Sequence, residues 1–183
     1  MKRHHRLLRA AAVLAALVLV LTTSGILMAA TATTTHTRLP MTSLSKTDNG
    51  AVLTPNSTIT YDTTFTLIAP ATAITLTDSL TDQYGGNFHL IGGEAVPVGG
   101  TTTGPVTCTP APCPATPEIK LLVRSPQRET WQFFLGDLPA GTYTVTFDAK
   151  VPAVVQPWHS VRNAVDVRTS TNYLGSVQVI TKP

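Results

Sequence analysis

Residues 58–68 read TITYDTTFTLI, a stretch in which apolar and polar residues alternate. Ile59, Tyr61, Phe65 and Leu67 share one parity, and the other is occupied mostly by threonine. Because successive side chains of a β-strand point to opposite faces, this period of two predicts a strand with one buried face. The stretch therefore predicts a fold built from half-buried strands.

The same alternation recurs along the rest of the chain, with turn formers such as Asn49-Gly50 and Gly85-Gly86 between the segments. This spacing predicts seven to nine strands, no helix beyond residue 32, and a single antiparallel immunoglobulin-like β-sandwich over 44–183. Residues 92–117 are rich in Gly, Thr and Pro and lack periodicity, so we expect a long surface loop there. The further alternating segments are 73–80, 119–123, 131–135, 142–151, 160–168 and 173–181.

The N-terminus has the pattern of a secretory signal. Residues 1–9 read MKRHHRLLR, and an uninterrupted apolar run follows over 10–21. That run is shorter than the roughly 20 residues that cross a membrane. We therefore expect 1–32 to be a signal peptide, cleaved after the small residues Ala30-Thr31-Ala32, and 33–43 to be a linker. A retained membrane anchor is the alternative.

Charge gives no reason to expect a nucleic-acid partner. Four of the thirteen Lys and Arg residues lie in the first nine positions, and all ten Asp and Glu residues lie outside the signal. The chain without the signal then carries nine basic and ten acidic residues, a formal charge of −1. No basic patch remains, and about 150 residues suffice for one domain.

The two cysteines, Cys108 and Cys113, enclose the sequence TPAP. Export to an oxidising compartment favours a disulfide between them, worth roughly 2 kcal/mol for so short a loop. A metal site is the alternative, but no further Cys or His lies nearby. Asp78, Asp82 and Gln83 could offer oxygen ligands to calcium, yet they lack a D-x-D-x-D-G pattern, and Asp82 could equally cap a turn. We therefore expect no metal and no cofactor.

Catalysis on an external substrate is not indicated. Outside the signal the chain has only His36, His89 and His159, and it has neither G-x-S-x-G nor H-E-x-x-H. We therefore interpret the protein as a non-enzyme.

The two tryptophans are the candidates for a ligand-facing aromatic. Trp131 shares its parity with Phe133 and Leu135, which predicts a place in the core, whereas Trp158 follows Pro157 in a turn. A glycan-binding or protein-binding module using Trp158 and the 92–117 loop is one functional hypothesis.

The order of several segments resembles a family. SKTDNGAVLTPNSTITYDTTFTL (45–67), ITLTDSL (74–80), WQFFLGDLPAGTYTVTFDAKV (131–151) and VRNAVDV (161–167) are similar to the bacterial surface conserved-repeat domain, or domain of unknown function eleven. Asn56 stands where that family usually has Gly, and 92–117 is an insertion. The resemblance implies a secreted or cell-surface structural or adhesive module, with other surface proteins or envelope glycans as partners. The membrane would be involved only if the signal is retained.

Three polar residues fall on apolar faces, namely Lys46, Asp78 and Asn163. Lys46 shares its parity with Leu44, and Asp78 and Asn163 each lie among apolar residues of a strand. Burying such groups unpaired would cost several kcal/mol. The set is similar to the Lys, acid and Asn of isopeptide-forming pilin and adhesin domains. That resemblance implies Lys46 as nucleophile, Asn163 as acceptor and Asp78 as proton shuttle. The alternatives are a solvent-reaching Lys46, a turn-capping Asp78 and an Asn163 bonded to backbone.

Overall fold

The computed structural model of the protein describes residues 40–82 and 84–183. The predicted signal peptide, most of the predicted linker and Gln83 lie outside the described residues. The first strand begins at Met41, so the last three positions of the predicted linker belong to the domain. The described part of the chain has no helix long and apolar enough to cross a membrane.

The described residues form two packed antiparallel sheets, which confirms the predicted immunoglobulin-like β-sandwich. Eleven strands are present instead of seven to nine. The strands are β1 (Met41–Thr47), β2 (Thr58–Leu67), β3 (Ala71–Asp82), β4 (His89–Leu90), β5 (Thr101–Thr103), β6 (Val106–Thr109), β7 (Glu118–Ser125), β8 (Arg128–Leu138), β9 (Gly141–Lys150), β10 (Val161–Arg168) and β11 (Tyr173–Thr181).

The first strand of the domain lies at an edge of one sheet, and the last strand lies at an edge of the other. The first sheet runs β1-β2-β9-β4, with β6 also paired to β9, and the second runs β11-β10-β3-β8-β7-β5. The strands β1 and β3 therefore lie in opposite sheets, whereas β3 and β10 are hydrogen-bonded neighbours. This arrangement brings inward side chains of β1 to face those of β3 and β10.

The segment 92–117 differs from the predicted loop. It contains β5, which pairs with β7 in one sheet, and β6, which pairs with β9 in the other. Val106 and Cys108 point into the core, and Thr107 and Thr109 are exposed. The segment therefore forms part of both sheets, because its few apolar residues have the alternation of a strand.

The core is filled by the apolar side chains that alternate with polar ones along the strands. Tyr61 on β2 contacts Phe147 on β9, with ring centroids 5.5 Å apart, and Phe133 on β8 contacts the same Phe147 from the other sheet at 5.7 Å. Trp131 is 1% exposed, which confirms its predicted place in the core. Aromatic residues thus join the two sheets at the centre.

Asn56 occupies a backbone conformation that explains its place in the turn before β2. Its φ is 61°, in the left-handed region. Glycine and asparagine adopt that region most readily, so Asn56 can replace the Gly usual in the resembled family.

Cys108 and Cys113 are joined in a disulfide, with their Cα atoms 5.7 Å apart. Both cysteines are buried, and the bridge closes a turn between β6 and β7. Because the closed loop is short, we expect the double Cys→Ser variant to lose only about 2 kcal/mol of unfolding free energy, measured by chemical denaturation. A loss of about 5 kcal/mol would show that the bridge holds the fold instead of one loop.

Candidate cross-linking site

Lys46 is buried between the two sheets. It lies on β1 opposite Thr63 of β2, and its side chain is 0% exposed. The Nζ atom donates a hydrogen bond to Thr63 Oγ1 at 2.9 Å and lies 5.0 Å from the centroid of the Phe147 ring. Nearby, burial raises the pKa of Tyr61 to about 12, which shows that these surroundings disfavour charge.

Asp78, in the opposite sheet, is the hydrogen-bond partner of Lys46. It lies on β3 between the inward residues Leu76 and Leu80, is 3% exposed, and accepts a hydrogen bond from Lys46 Nζ at 2.7 Å. Burial raises the pKa of Asp78 above its ordinary value, although the nearby Lys46 acts in the opposite direction. The hydrogen-bonded pair therefore lies in a part of the core where burial disfavours the charged form of Asp78.

Asn163 lies on β10, next to the strand of Asp78. It is 0% exposed, and neither Oδ1 nor Nδ2 has a hydrogen-bond partner among the described residues. Asn163 pairs with Leu80, and Val165 pairs with Asp78, so Asn163 and Asp78 are diagonal neighbours on the same face. Such neighbours are about 7–8 Å apart, and the two short side chains form no hydrogen bond with each other here.

The three side chains therefore share one region of the core. The alternative roles do not describe these positions, because Lys46 does not reach solvent and Asp78 bonds to Lys46 instead of capping a turn. A buried amide without partners lowers the free energy of unfolding by about 1–3 kcal/mol, so packing alone does not account for Asn163 at this position. A buried amine, an acid of raised pKa and an amide form the set of groups needed for transamidation.

A second buried polar cluster is centred on Glu129 of β8, and none of the sequence patterns described above predicts it. Glu129 is 1% exposed, and its Oε1 accepts hydrogen bonds from Trp131 Nε1 at 2.6 Å and Leu90 N at 2.9 Å. Its Oε2 contacts Arg124 Nε at 2.9 Å and His89 Nδ1 at 2.8 Å. The shared parity of Glu129 and Trp131 is the signal in the sequence that could have identified it.

Arg124 extends this Glu129 cluster to the segment that follows β4. Its guanidinium donates to the backbone carbonyls of Gly93, Glu94 and Val96, each at 2.9 Å. The carboxylate of Glu129 thus positions Arg124, and Arg124 holds residues 93–96 against the sandwich. The cluster has a structural role.

The Glu129 cluster should make the free energy of unfolding depend on pH in the acidic range. Burial alone would raise the pKa of Glu129, but the hydrogen bonds from His89, Leu90, Trp131 and Arg124 outweigh it and hold the pKa below its ordinary value of 4.5. The unfolded chain then binds a proton that the folded chain does not, so stability falls as pH falls. We expect the unfolding free energy to decrease below about pH 4.5, and less so in Glu129→Gln. Equal pH dependence in both proteins would contradict this.

The remaining candidates are separate from these clusters. Trp158 is 63% exposed in the connection between β9 and β10. Asp82 accepts hydrogen bonds from the backbone of Tyr84 at 3.0 Å and Gly86 at 2.8 Å, so it caps the turn as the sequence allowed. Asp78 points into the core and shares no site with Asp82. Across 40–82 and 84–183, no group of three or more His, Cys, Asp or Glu residues could hold a metal ion.

Comparisons with known proteins give a likeness of architecture. No family model matches the chain, so the resemblance to the surface conserved-repeat domain has no such support, and no curated protein matches it either. Among solved structures, AvmM, which catalyses macrocyclization in alchivemycin A biosynthesis, is similar with a TM-score of 0.42 and 10% identity over 79% of this chain and 89% of AvmM.

Domains of two bacterial proteins are also among the similar structures. The collagen-binding subdomain of Enterococcus faecalis surface protein ACE has a TM-score of 0.40 and 6% identity, over 76% of this chain and 94% of that one. The C-terminal domain of the Streptococcus agalactiae AgI/II polypeptide BspA has a TM-score of 0.44 and 10% identity, over 77% of this chain and 50% of that one. At such values the likeness concerns strand architecture alone.

Proposed function

We propose that this chain is a structural or adhesive module of a bacterial surface, secreted and stabilised by an autocatalytic amide bond between Lys46 and Asn163. The observation that carries the proposal is the fully buried amide of Asn163, which has no hydrogen-bond partner in 40–82 and 84–183 and lies one strand away from the Asp78 that binds Lys46. The signal pattern of residues 1–32 supports an extracellular location.

The bond forms by a balanced transamidation. The neutral Nζ of Lys46 attacks Cγ of Asn163, and the protonated carboxyl of Asp78 turns to donate a hydrogen bond to the carbonyl oxygen of Asn163, a bond that is absent before the reaction. As the new C–N bond forms, the bond from Cγ to Nδ2 breaks. Asp78 moves the proton lost by the amine to the departing nitrogen, and one ammonia leaves. No oxidant, reductant or cofactor is needed.

The position of the bond suits a module under tension. In the first sheet, β1 is an edge strand, and within the described residues its backbone ladder is formed with β2. β1 begins beside Leu67, and β11 ends beside Val161, at the opposite end of the sandwich. A pull on the two ends of the domain would load the two terminal edge strands, β1 and β11. An amide bond from Lys46 to β10 would tie β1 to the second sheet and prevent its removal.

Tandem mass spectrometry of protease-digested protein tests the chemistry. We expect a branched peptide that joins the segment containing Lys46 to the segment containing Asn163, present in the parent protein and missing from Asp78→Asn. The Lys150→Ala variant, which removes an exposed lysine, is the control and should keep the branched peptide. Unlinked peptides alone from the parent protein would reject the cross-link.

Cell fractionation tests the surface role separately. The protein should be found outside the cytoplasm without residues 1–32. Full-length protein confined to the cytoplasm would reject the surface role, whatever the state of the cross-link.

A ligand-binding module is the second candidate function, supported by the exposure of Trp158. Tyr84, at the same end of the sandwich, is 51% exposed. In this case a glycan or surface protein would bind saturably, and Trp158→Ala would abolish binding without changing the fold. An absence of any saturable partner in a glycan and surface-protein screen would favour the purely structural role.

A further inference from the structure

The outer face of the second sheet carries two arginines on either side of one threonine. Thr81 on β3 pairs with Arg162 on β10 and with Arg128 on β8. Because Asn163 points into the core, Arg162 and its alternate neighbours on β10 point outward. Paired side chains on one face lie about 4.5–5.5 Å apart at Cβ, so Arg128 and Arg162 are the neighbours of Thr81 on its two sides.

A depression lies beside this arginine row because Ala164 is short. Ala164 pairs with Ser79 and stands between Arg162 and Asp166 on β10. The depression has a volume of about 400 Å³, within the range of small-ligand sites. It continues over β10 to Ser176 and Gln178 of β11. Its lining is mainly hydroxyl groups, two cations and one carboxylate.

Neither arginine is neutralised by an acid in the described part of the chain. Arg128 donates to the hydroxyls of Thr130 at 2.9 Å and Ser79 at 3.2 Å, and Arg162 has no hydrogen bond or ion pair there. Asp166 is four residues from Arg162, about 13 Å along the strand, and forms no ion pair with it. One end of the depression therefore attracts an anion, and the other accepts hydrogen bonds.

We propose that this depression binds a carboxylate-bearing sugar residue of an acidic polysaccharide. Arg128 and Arg162 would hold the sugar carboxylate through charge-assisted hydrogen bonds, and Ser79, Thr77 and Asp166 would contact the sugar hydroxyls. An acidic peptide fits less well, because the sheet's backbone groups are already paired within the ladders and cannot bond to a second backbone. A ligand rich in hydroxyls needs only side chains. The proposal does not depend on the cross-link.

Titration of the nitrogen-labelled protein followed by nuclear magnetic resonance tests the site. The probes are a galacturonate hexasaccharide and a hyaluronan hexasaccharide, each beside its carboxyl-reduced form. We expect saturable shifts of backbone signals at β3, β8 and β10 with at least one acidic probe, weaker binding at higher salt, and none with the reduced forms. Arg128→Gln and Arg162→Gln should each weaken binding about tenfold or more.

Matched controls keep the outcome interpretable. Arg168→Gln makes the same charge change on the same face of β10, about 20 Å from Arg162 along the strand and two residues beyond Asp166. Because the sugar carboxylate would lie at the opposite end of the depression, this variant should leave affinity unchanged. The intact mass of each variant shows whether its cross-link state equals that of the parent, which separates failure here from failure of the proposed function. The proposal is overturned if neither acidic probe binds, if the reduced probes bind equally, if a polyglutamate peptide binds as tightly, or if Arg168→Gln weakens binding equally.

Discussion

The variants Lys46→Ala, Asp78→Asn and Asn163→Ala should each melt roughly 10–20 °C below the parent protein. Each removes one group required for the proposed amide bond, which would close a chain segment on the order of 100 residues long. Closing such a segment is worth about 5 kcal/mol in the chain-entropy model. Calorimetry of the purified proteins measures the effect.

The pattern among these variants separates a covalent bond from ordinary buried polar contacts. If all three residues serve one bond, the double variant Lys46→Ala/Asn163→Ala should melt close to the single variants, because the bond can be lost only once. The control Lys150→Ala should melt within about 2 °C of the parent, as expected for an exposed side chain. Additive effects of the two single substitutions would count against a shared bond.

Replacing Glu129 by alanine is expected to cost about 3–5 kcal/mol of unfolding free energy. The substitution leaves Arg124 without its carboxylate, and it leaves the buried donors Trp131 Nε1 and Leu90 N without an acceptor. Denaturant titration measures the loss. Residues 93–96 should also exchange their amide hydrogens faster, because Arg124 would no longer be positioned against their carbonyls.

Glu118→Ala is the matched control for Glu129→Ala. Glu118 is an exposed glutamate on β7, so its removal makes the same charge change without breaking a buried cluster. We expect a change within about 0.5 kcal/mol. Equal losses from the two substitutions would show that net charge, and not the buried cluster, determines the effect.

The fold could be predicted because side-chain parity is a local property. The alternation in residues 58–68 is enough by itself to predict which face is buried. The strands β2, β3, β8, β9 and β10 follow the alternation seen in the sequence. The strand β6 has only four residues and lies among prolines and glycines, so its alternation is too short to distinguish from a loop.

The candidate site could be predicted only in part, because parity does not tell which sheet a strand joins. The sequence places Lys46, Asp78 and Asn163 on apolar faces, but their proximity depends on β1 and β3 lying in opposite sheets and on β10 pairing with β3. For Glu129 the inward parity was visible. Its partners His89 and Arg124 come from other strands, and only the pairing of those strands brings them to the carboxylate.

Intact-mass measurement of the purified protein tests the cross-link most directly. After allowance for the disulfide between Cys108 and Cys113 and for the observed N-terminus, the account predicts a mass lower than the sequence mass by one ammonia. The Asp78→Asn variant should show its full sequence mass. A parent protein at its full sequence mass, folded and with the disulfide intact, would contradict the account.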